Sequence, residues 1–165
     1  MPPLPDDLPI RILDGSPDAV LICDRSGTVR YWNGAAERVF GFSITEALGA
    51  SMNLIIPQRL RARHWAGWEA AMRTGITRYA DGHLLAVPAL HKDGRQISIE
   101  FSIQLIKRAD GQIDWVVAVI RDVTERYIEQ KALHMQLTIL KEKARSTGNE
   151  GSRGLSAAVT GRSSQ

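Results

Sequence analysis

The sequence contains a single cysteine, Cys23, and lacks any apolar run long enough to cross a membrane. One cysteine excludes an internal disulfide framework and any metal site built from several cysteines. The longest apolar run, at residues 113–120, is far shorter than the ~20 residues that a membrane-spanning helix needs. Residues 1–9 contain four prolines instead of a basic segment followed by an apolar one, so no signal peptide is predicted. We therefore expect a reducing, cytoplasmic location and no membrane partner.

The body of the chain also lacks an excess of positive charge. The net charge is +3, and the segment from Lys141 onward carries five basic and two acidic side chains, so residues 1–140 are neutral overall. A nucleic-acid-binding surface concentrates Lys and Arg, so we expect no nucleic-acid partner. The composition, 44% hydrophobic and 24% charged, is that of one soluble globular domain.

The first half of the chain predicts a β-hairpin followed by short helices. The apolar segments 19–24 and 28–33 flank the turn-forming sequence DRSG, which predicts two paired strands. Helical spacing follows over residues 35–40. Ser43, with Glu46 three residues later, gives the capping-box pattern of a second short helix.

A longer helix is predicted between Pro57 and Gly75, because proline favours the first helical turn and glycine the position just past the end. One face of this helix carries residues spaced three and four apart, namely Leu60, His64, Gly67, Trp68 and Ala71.

The second half of the chain predicts strands and then an exit helix. Residues 76–90 hold two strand-like pieces, and residues 96–106 alternate, which places Ile97, Ile99, Phe101, Ile103 and Leu105 on one face. The continuous apolar run at 113–120 is typical of a central strand. The order of elements predicts an α+β fold with one antiparallel sheet covered on one side by helices.

The exit helix is expected to start at Asp122, with Glu125 completing a capping box, and to end near Arg145. It carries two adjacent apolar stripes, Ile128, Ala132, Met135 and Ile139 in one and Leu133, Leu137, Leu140 and Ala144 in the other. Two stripes are wider than one packing contact needs, which predicts a homodimer held by this helix. The predicted organisation is an irregular leader over 1–9, one domain over 10–121, the exit helix over 122–145 and a disordered tail over 146–165.

Three motifs in this order resemble those of a PAS domain: PDAVLICDRSGTVRYWNGAAERVFGFS, KDGR and AVIRDVTER. The resemblance covers roughly residues 8–126. It implies a five-stranded antiparallel sheet that cradles a ligand or cofactor pocket against helices. It also implies sensing and dimerisation in signalling proteins, with no catalytic role. The reactive cysteine of the flavin-binding photosensor branch has no counterpart in GASMNLIIP, since Cys23 lies on the first strand.

The stretch PQRLRARHWAGWEAAMRTGITRY, with the later KDG, is similar to heme-binding PAS domains of bacterial oxygen-sensing kinases and phosphodiesterases. That resemblance implies that the eighth residue counted from Pro57, which is His64, is the axial ligand of the iron in heme b. The sequence around His64 is consistent with that role. Iron needs an imidazole on a rigid element facing an apolar cavity, and His64 lies on a predicted helix among apolar residues. Gly67 would let a flat ring approach, and Phe101 with Ile103 would form the opposing wall.

One position departs from the kinase sensors, whose arginine falls here at about Leu85. His83 lies near the place where the phosphodiesterase sensors carry a sixth-ligand methionine. His83 is therefore either a sixth iron ligand or an exposed residue beside the Asp81-Gly82 turn. In the second case Leu85, Phe101 and Ile103 leave an apolar distal pocket, which favours carbon monoxide or nitric oxide over oxygen.

The leading hypothesis is a sensor of a diatomic gas or of redox state that signals through Asp122, Thr124 and Arg126 to the exit helix, as a homodimer or with a separate signalling partner. The alternatives are a cofactor-free PAS dimerisation module and a heme enzyme of the peroxidase type. The enzyme alternative lacks an evident acid–base pair unless His83 serves.

Overall fold

The computed structural model describes residues 3–77 and 86–158, with the backbone alone for residue 144 and residues 146–158. The chain divides after Thr124 into two units. The elements, in chain order, are α1 (Leu8–Asp14), β1 (Ala19–Asp24), β2 (Val29–Trp32), α2 (Gly34–Phe40), α3 (Ile44–Ala47), a 3₁₀ turn (Met52–Leu54), α4 (Gln58–Thr74), β3 (Val87–Leu90), β4 (Gln96–Lys107), β5 (Ile113–Asp122) and α5 (Thr124–Ala158).

The five strands form one antiparallel sheet in the order β2-β1-β5-β4-β3. The predicted α+β class and antiparallel sheet are confirmed. The continuous apolar run occupies β5 at the centre of the sheet, as its composition predicts. Across the sheet, Leu21 of β1 pairs with Ala118 of β5, which pairs in turn with Ile103 of β4. One sheet face therefore collects apolar side chains from all three strands.

The turn between β1 and β2 is held by the carboxylate of Asp24. This carboxylate accepts hydrogen bonds from the backbone N–H groups of Ser26 at 2.9 Å and Thr28 at 3.1 Å, and from Arg30 Nε at 2.7 Å. Burial acts to raise the pKa of Asp24, but a hydrogen bond from the Ser26 hydroxyl and the three bonds above outweigh it and lower the pKa to about 2. Gly27 completes the turn with φ +78°, a left-handed conformation that other residues adopt only with strain.

Side-chain caps fix the short helices against the sheet. Asn33 is 1% exposed, and its Oδ1 accepts the N–H groups of Ala36 at 2.9 Å and Val20 at 3.0 Å, so one amide caps α2 and bonds to β1. The predicted capping box of α3 is present, with reciprocal bonds between Ser43 and Glu46. These caps satisfy backbone donors that would otherwise stay unpaired at the helix starts.

The hydrophobic core lies between the sheet and helices α2 and α3, and it includes Leu21, Trp32, Ala36, Phe40, Ala47, Ile97, Ile99, Ala118 and Ile120. The predicted apolar face of β4 is present, but its burial falls along the strand. Ile97 and Ile99 are buried, whereas Phe101, Ile103 and Leu105 are half-buried. A cavity lies beside the part of β4 that carries Phe101, Ile103 and Leu105.

The junction between sheet and exit helix differs from the prediction. The ladder between β4 and β5 continues through Asp122, which pairs with Ile99, so the helix begins at Thr124 and not at Asp122. The Asp122 carboxylate accepts the Thr124 N–H at 2.9 Å. Asp122 therefore belongs to the strand ladder and also accepts a backbone N–H at the start of the helix, as an N-cap residue does.

Helix α5 forms the second unit and extends to Ala158, past the predicted end near Arg145. Helical backbone thus covers residues 146–158, which the sequence analysis assigned to the tail, and residues 159–165 lie outside the described residues. The helix exposes large apolar side chains from both predicted stripes, including Ile128, Leu133, Met135, Leu137, Ile139 and Leu140. Within the described residues, no helix has the length and hydrophobicity of a membrane span.

Candidate functional site

A partly open cavity of about 630 Å³ lies between α4 and the apolar face of the sheet. Its volume is within the roughly 300–1,000 Å³ typical of small-molecule sites. Six residues that the sequence singled out line it: Leu60, His64, Gly67, Trp68, Phe101 and Ile103. The other two, His83 and Leu85, lie outside the described residues.

Helix α4 brings His64 to the cavity and is fixed at both ends. It begins after Pro57 and ends at Gly75, whose φ of +70° provides the left-handed cap. Arg61 donates hydrogen bonds to the carbonyl oxygens of Asn53 at 3.0 Å and Ile56 at 3.2 Å. The basic residue three positions before His64 therefore ties the start of the helix to the preceding 3₁₀ turn.

The imidazole of His64 is half-buried, and its Nδ1 is fully buried without a hydrogen-bond partner among the described residues. Leaving a buried polar atom unsatisfied costs about 1–3 kcal/mol, so natural sites rarely keep one without a use for it. Burial lowers the pKa of His64 below its ordinary value, which favours the neutral ring. Neutral imidazole is the form that ligates metals.

Two tryptophans flank the His64 ring. The centroid of the Trp65 ring lies 5.0 Å from that of His64 in an edge arrangement, and the centroid of Trp68 lies 5.9 Å away. The indole N–H of Trp65 donates to Asn53 Oδ1 at 2.9 Å, and that of Trp68 donates to the carbonyl oxygen of Arg25 at 3.0 Å. Trp68 was predicted for the site and Trp65 was not, because the partner of Trp65, Asn53, is twelve residues away and no spacing rule connects them.

The sheet side of the cavity is apolar and includes residues that the sequence analysis did not assign to it, among them Leu21, Cys23, Val87, Leu105, Val116, Ala118 and Ile120. Strand register was the missing signal, since Leu21, Ala118 and Ile103 lie side by side on three strands. Burial, followed by the charge of Asp24, raises the pKa of the Cys23 thiol to about 12. The thiol is therefore un-ionised and is no nucleophile at neutral pH.

Two cations on α4 also line the cavity. Arg59 and Arg63 are four residues apart, which places them on the same side of the helix, and both side chains are exposed. A guanidinium N–H of Arg59 donates to Gln96 Oε1 at 3.1 Å. This spacing of four residues was visible in the sequence, but the two arginines were not predicted to line the site. An apolar cavity with two cations among its lining residues suits an apolar ligand that carries anionic groups.

The described residues contain no cluster of three or more His, Cys, Asp or Glu side chains that could hold a bare metal ion. As far as these residues go, His64 suits a metal that arrives with most of its other ligands already attached.

The predicted relay residues are partly brought together. Thr124 accepts the backbone N–H of Ser98 at 2.9 Å through its Oγ1, and Asp122 accepts the Thr124 N–H. The backbone N–H of Val123 donates to the Ser98 carbonyl oxygen at 2.9 Å. These bonds join the end of β5 to β4, whereas Arg126 belongs to the second unit.

Comparison with known proteins gives a family and two sensors. A family model described as PAS fold matches residues 13–128. The sensor protein FixL of Bradyrhizobium diazoefficiens is 30% identical over 129 residues, which cover 74% of this chain and 24% of FixL. The oxygen sensor protein DosP of Escherichia coli K12 is 29% identical over 121 residues, which cover 73% of this chain and 14% of DosP. This chain therefore corresponds to a minor part of each curated relative.

Solved structures show the same fold. The PAS domain of a protein from Colwellia psychrerythraea gives a TM-score of 0.61 at 23% identity, covering 71% of this chain and 95% of that domain. An RNA-binding light-oxygen-voltage receptor gives a TM-score of 0.60 at 20% identity, covering 84% of this chain and 41% of the receptor. At these identities the likeness concerns the fold alone.

Proposed function

The chain belongs to the PAS family of signal-sensing domains, and from this premise we propose that it binds heme b through His64 and senses a diatomic gas or redox state. The observation that carries the proposal is the buried, unpartnered Nδ1 of a neutral imidazole that lines an apolar cavity of about 630 Å³. The similarity of this helix to those of heme-binding PAS domains supports the same ligand.

The chemistry of the lining fits a heme. A porphyrin brings its own four nitrogen ligands, so it needs one protein imidazole and not a cluster of ligating side chains. Its flat, largely apolar ring suits the apolar walls, and its two carboxylates suit the guanidinium groups of Arg59 and Arg63. When bound, the heme iron supplies the coordination position at which a diatomic gas is recognised.

The chain's own residues then have distinct tasks. His64 ligates the iron, while Leu60 and Trp68 exclude water from the ligating side and Gly67 leaves room for the ring. Phe101 and Ile103 line the sheet side without a hydrogen-bond donor in their side chains. Such a surface gives little support to bound oxygen, which favours carbon monoxide or nitric oxide. His83, outside the described residues, would change this selectivity if it served as a sixth ligand.

The signal leaves through the end of β5. A shift of α4 on ligand binding would be felt by the sheet and by the hydrogen bonds that join Ser98, Asp122 and Thr124. From there it would pass to Arg126 and α5. The exposed apolar stripes of α5 fit a second copy of the chain, so the proposed sensor is a homodimer that acts on a separate signalling partner in the cytoplasm.

The test is the absorption spectrum of the protein purified with heme supplied. We expect a strong band near the blue edge of the visible that His64→Ala abolishes. His134→Ala, on the exposed surface of α5, is the matched control and should keep the band. Stoichiometric heme in His64→Ala would refute the ligand assignment, and a colourless protein that refuses added hemin would refute the heme proposal.

The exposed stripes of α5 also favour a second candidate, a cofactor-free PAS module for dimerisation or partner docking. A colourless protein that is nevertheless dimeric would favour it. The peroxidase-type alternative receives less support, because no carboxylate appears among the described residues that line the cavity. Turnover with peroxide would test that alternative directly.

A further inference from the structure

His64, Trp65 and Trp68 form one cluster of three mutually contacting rings. Trp65 meets His64 at an interplanar angle of 83°, Trp68 meets it at 35°, and the two indole centroids are 5.8 Å apart. Since Nδ1 of His64 has no hydrogen-bond partner among the described residues, ring contacts rather than a hydrogen bond to that atom orient the imidazole.

Each indole is anchored to an element outside α4. Trp65 donates to the side chain of Asn53 in the 3₁₀ turn, and Trp68 donates to the backbone of Arg25 in the turn between β1 and β2. The backbone of Asn53 is fixed on both sides, since its N–H donates to Ser51 Oγ at 3.2 Å and its carbonyl accepts Arg61. Each of the two indoles beside the imidazole is therefore held by a hydrogen bond to an element outside α4, called its tether below.

The turn between β1 and β2 contacts both indoles. A Cβ placed on Gly27 would clash with Cη2 of Trp65, so the indole rests directly against the glycine. The same turn supplies the Arg25 carbonyl for Trp68 and is stiffened by the Asp24 carboxylate.

The turn between β1 and β2 is also linked to β5 by hydrogen bonds. Arg25 Nη1 donates to Gln112 Oε1 at 3.0 Å, and Arg108 donates to the same oxygen at 3.3 Å. Gln112 immediately precedes β5, the central strand that runs to Asp122.

We propose that Trp65 and Trp68 are positioning residues that hold the His64 imidazole in its ligating orientation and couple it to the β1–β2 turn. The proposal rests on the proposed function for the ligand at His64, but the orientation of the ring is a property of the chain without ligand. Displacement of the imidazole tilts the indoles, and their tethers move the turn and the residues that precede β5.

The first experiment uses the ligand-free protein. Trp65→Phe and Trp68→Phe each keep an aromatic ring and remove the indole N–H, while Trp115→Phe, on the outer face of the sheet, is the matched control. Imidazole nitrogen NMR of His64 should show a changed tautomer ratio or titration in the first two variants and none in the control. Asn53→Ala should reproduce the effect of Trp65→Phe without altering a ring. An unchanged His64 signal in all of these variants would overturn the positioning role, whether or not the protein binds heme.

The second experiment measures hemin release. Loss of one orienting hydrogen bond should speed release about two- to tenfold in Trp65→Phe and Trp68→Phe, with no change in Trp115→Phe. Backbone resonances of residues 24–28 should shift when zinc protoporphyrin is added to the parent protein, and should shift less in Trp68→Phe. Equal shifts in parent and variant would overturn the coupling to the turn. A parent protein that binds neither porphyrin would refute the proposed function, and the first experiment would still decide the positioning role.

Discussion

Replacing His64 with leucine should make the ligand-free protein more stable. The imidazole places a buried Nδ1 beside apolar walls, with no hydrogen-bond partner among the described residues. Leucine fills a similar volume without a polar atom, so the variant avoids the desolvation cost. That cost is about 1–3 kcal/mol for a buried, unsatisfied polar group, and we expect a gain of this order in the free energy of unfolding at pH 8. Residues kept for binding commonly lower stability in this way.

The gain should grow as the pH falls. Burial lowers the pKa of His64 in the folded state, so between the unfolded value near 6.5 and the lower folded value the unfolded chain binds more protons. Folding stability therefore declines with falling pH in that window, by less than the ~1.4 kcal/mol per pH unit that one whole proton would give. His64→Leu removes this pH-dependent loss of stability. Carboxylates shared by both proteins cancel in the difference.

Urea unfolding followed by far-ultraviolet circular dichroism at pH 8, 7, 6 and 5 measures the difference in free energy of unfolding between the two proteins, called the gap below. His134→Leu on the surface of α5 is the control and should show no such pH-dependent gap. A gap that is absent at pH 8, or constant from pH 8 to 5, would refute the reasoning that His64 is held neutral by burial.

Three further predictions concern the cavity and α5. Gly67→Ala should raise the free energy of unfolding by about 1 kcal/mol, because the added methyl meets no described heavy atom within 4 Å and alanine favours the helix, yet it should weaken hemin binding in a titration. Arg59→Gln with Arg63→Gln should weaken binding of hemin more than binding of its uncharged dimethyl ester; equal losses would contradict an electrostatic role. Leu137→Lys with Leu140→Lys should give a monomer in sedimentation with its fold intact, since charges in an apolar interface are unfavourable; a persistent dimer would exclude this seam.

Local signals predicted most of the fold. The capping box at Ser43, the glycine after α4 and the alternation of β4 each depend on residues close together in the chain, where spacing rules apply. The position of β5 at the centre of the sheet followed from its composition. Helix α5 begins at Thr124 and not at Asp122, because pairing with Ile99 keeps Asp122 in the strand, which spacing cannot reveal.

The sequence named more of the candidate site on its helical side than on its sheet side, where it named Phe101 and Ile103. Periodicity placed Leu60, His64 and Trp68 on one helix face, and the family resemblance singled out His64 as the ligand. Cys23 and Ala118 required the strand register, which depends on pairing between distant segments. The tethers of the indoles were likewise invisible, because they join residues brought together by the fold alone.

The packing of α4 has a consequence for the kinetics of ligand entry. None of the seventeen residues of this helix is fully buried. The cavity occupies the space between the helix and the sheet that side chains would otherwise fill. Side-chain hydrogen bonds and half-buried apolar side chains such as Leu60 and Trp68 hold the helix to the domain, so lifting it disturbs less apolar contact than unfolding the sheet. The helix is then a unit of low local stability that can open while the strands stay intact. If the proposed heme enters by such an opening, its binding would close the unit and would convert occupancy into a change in local stability.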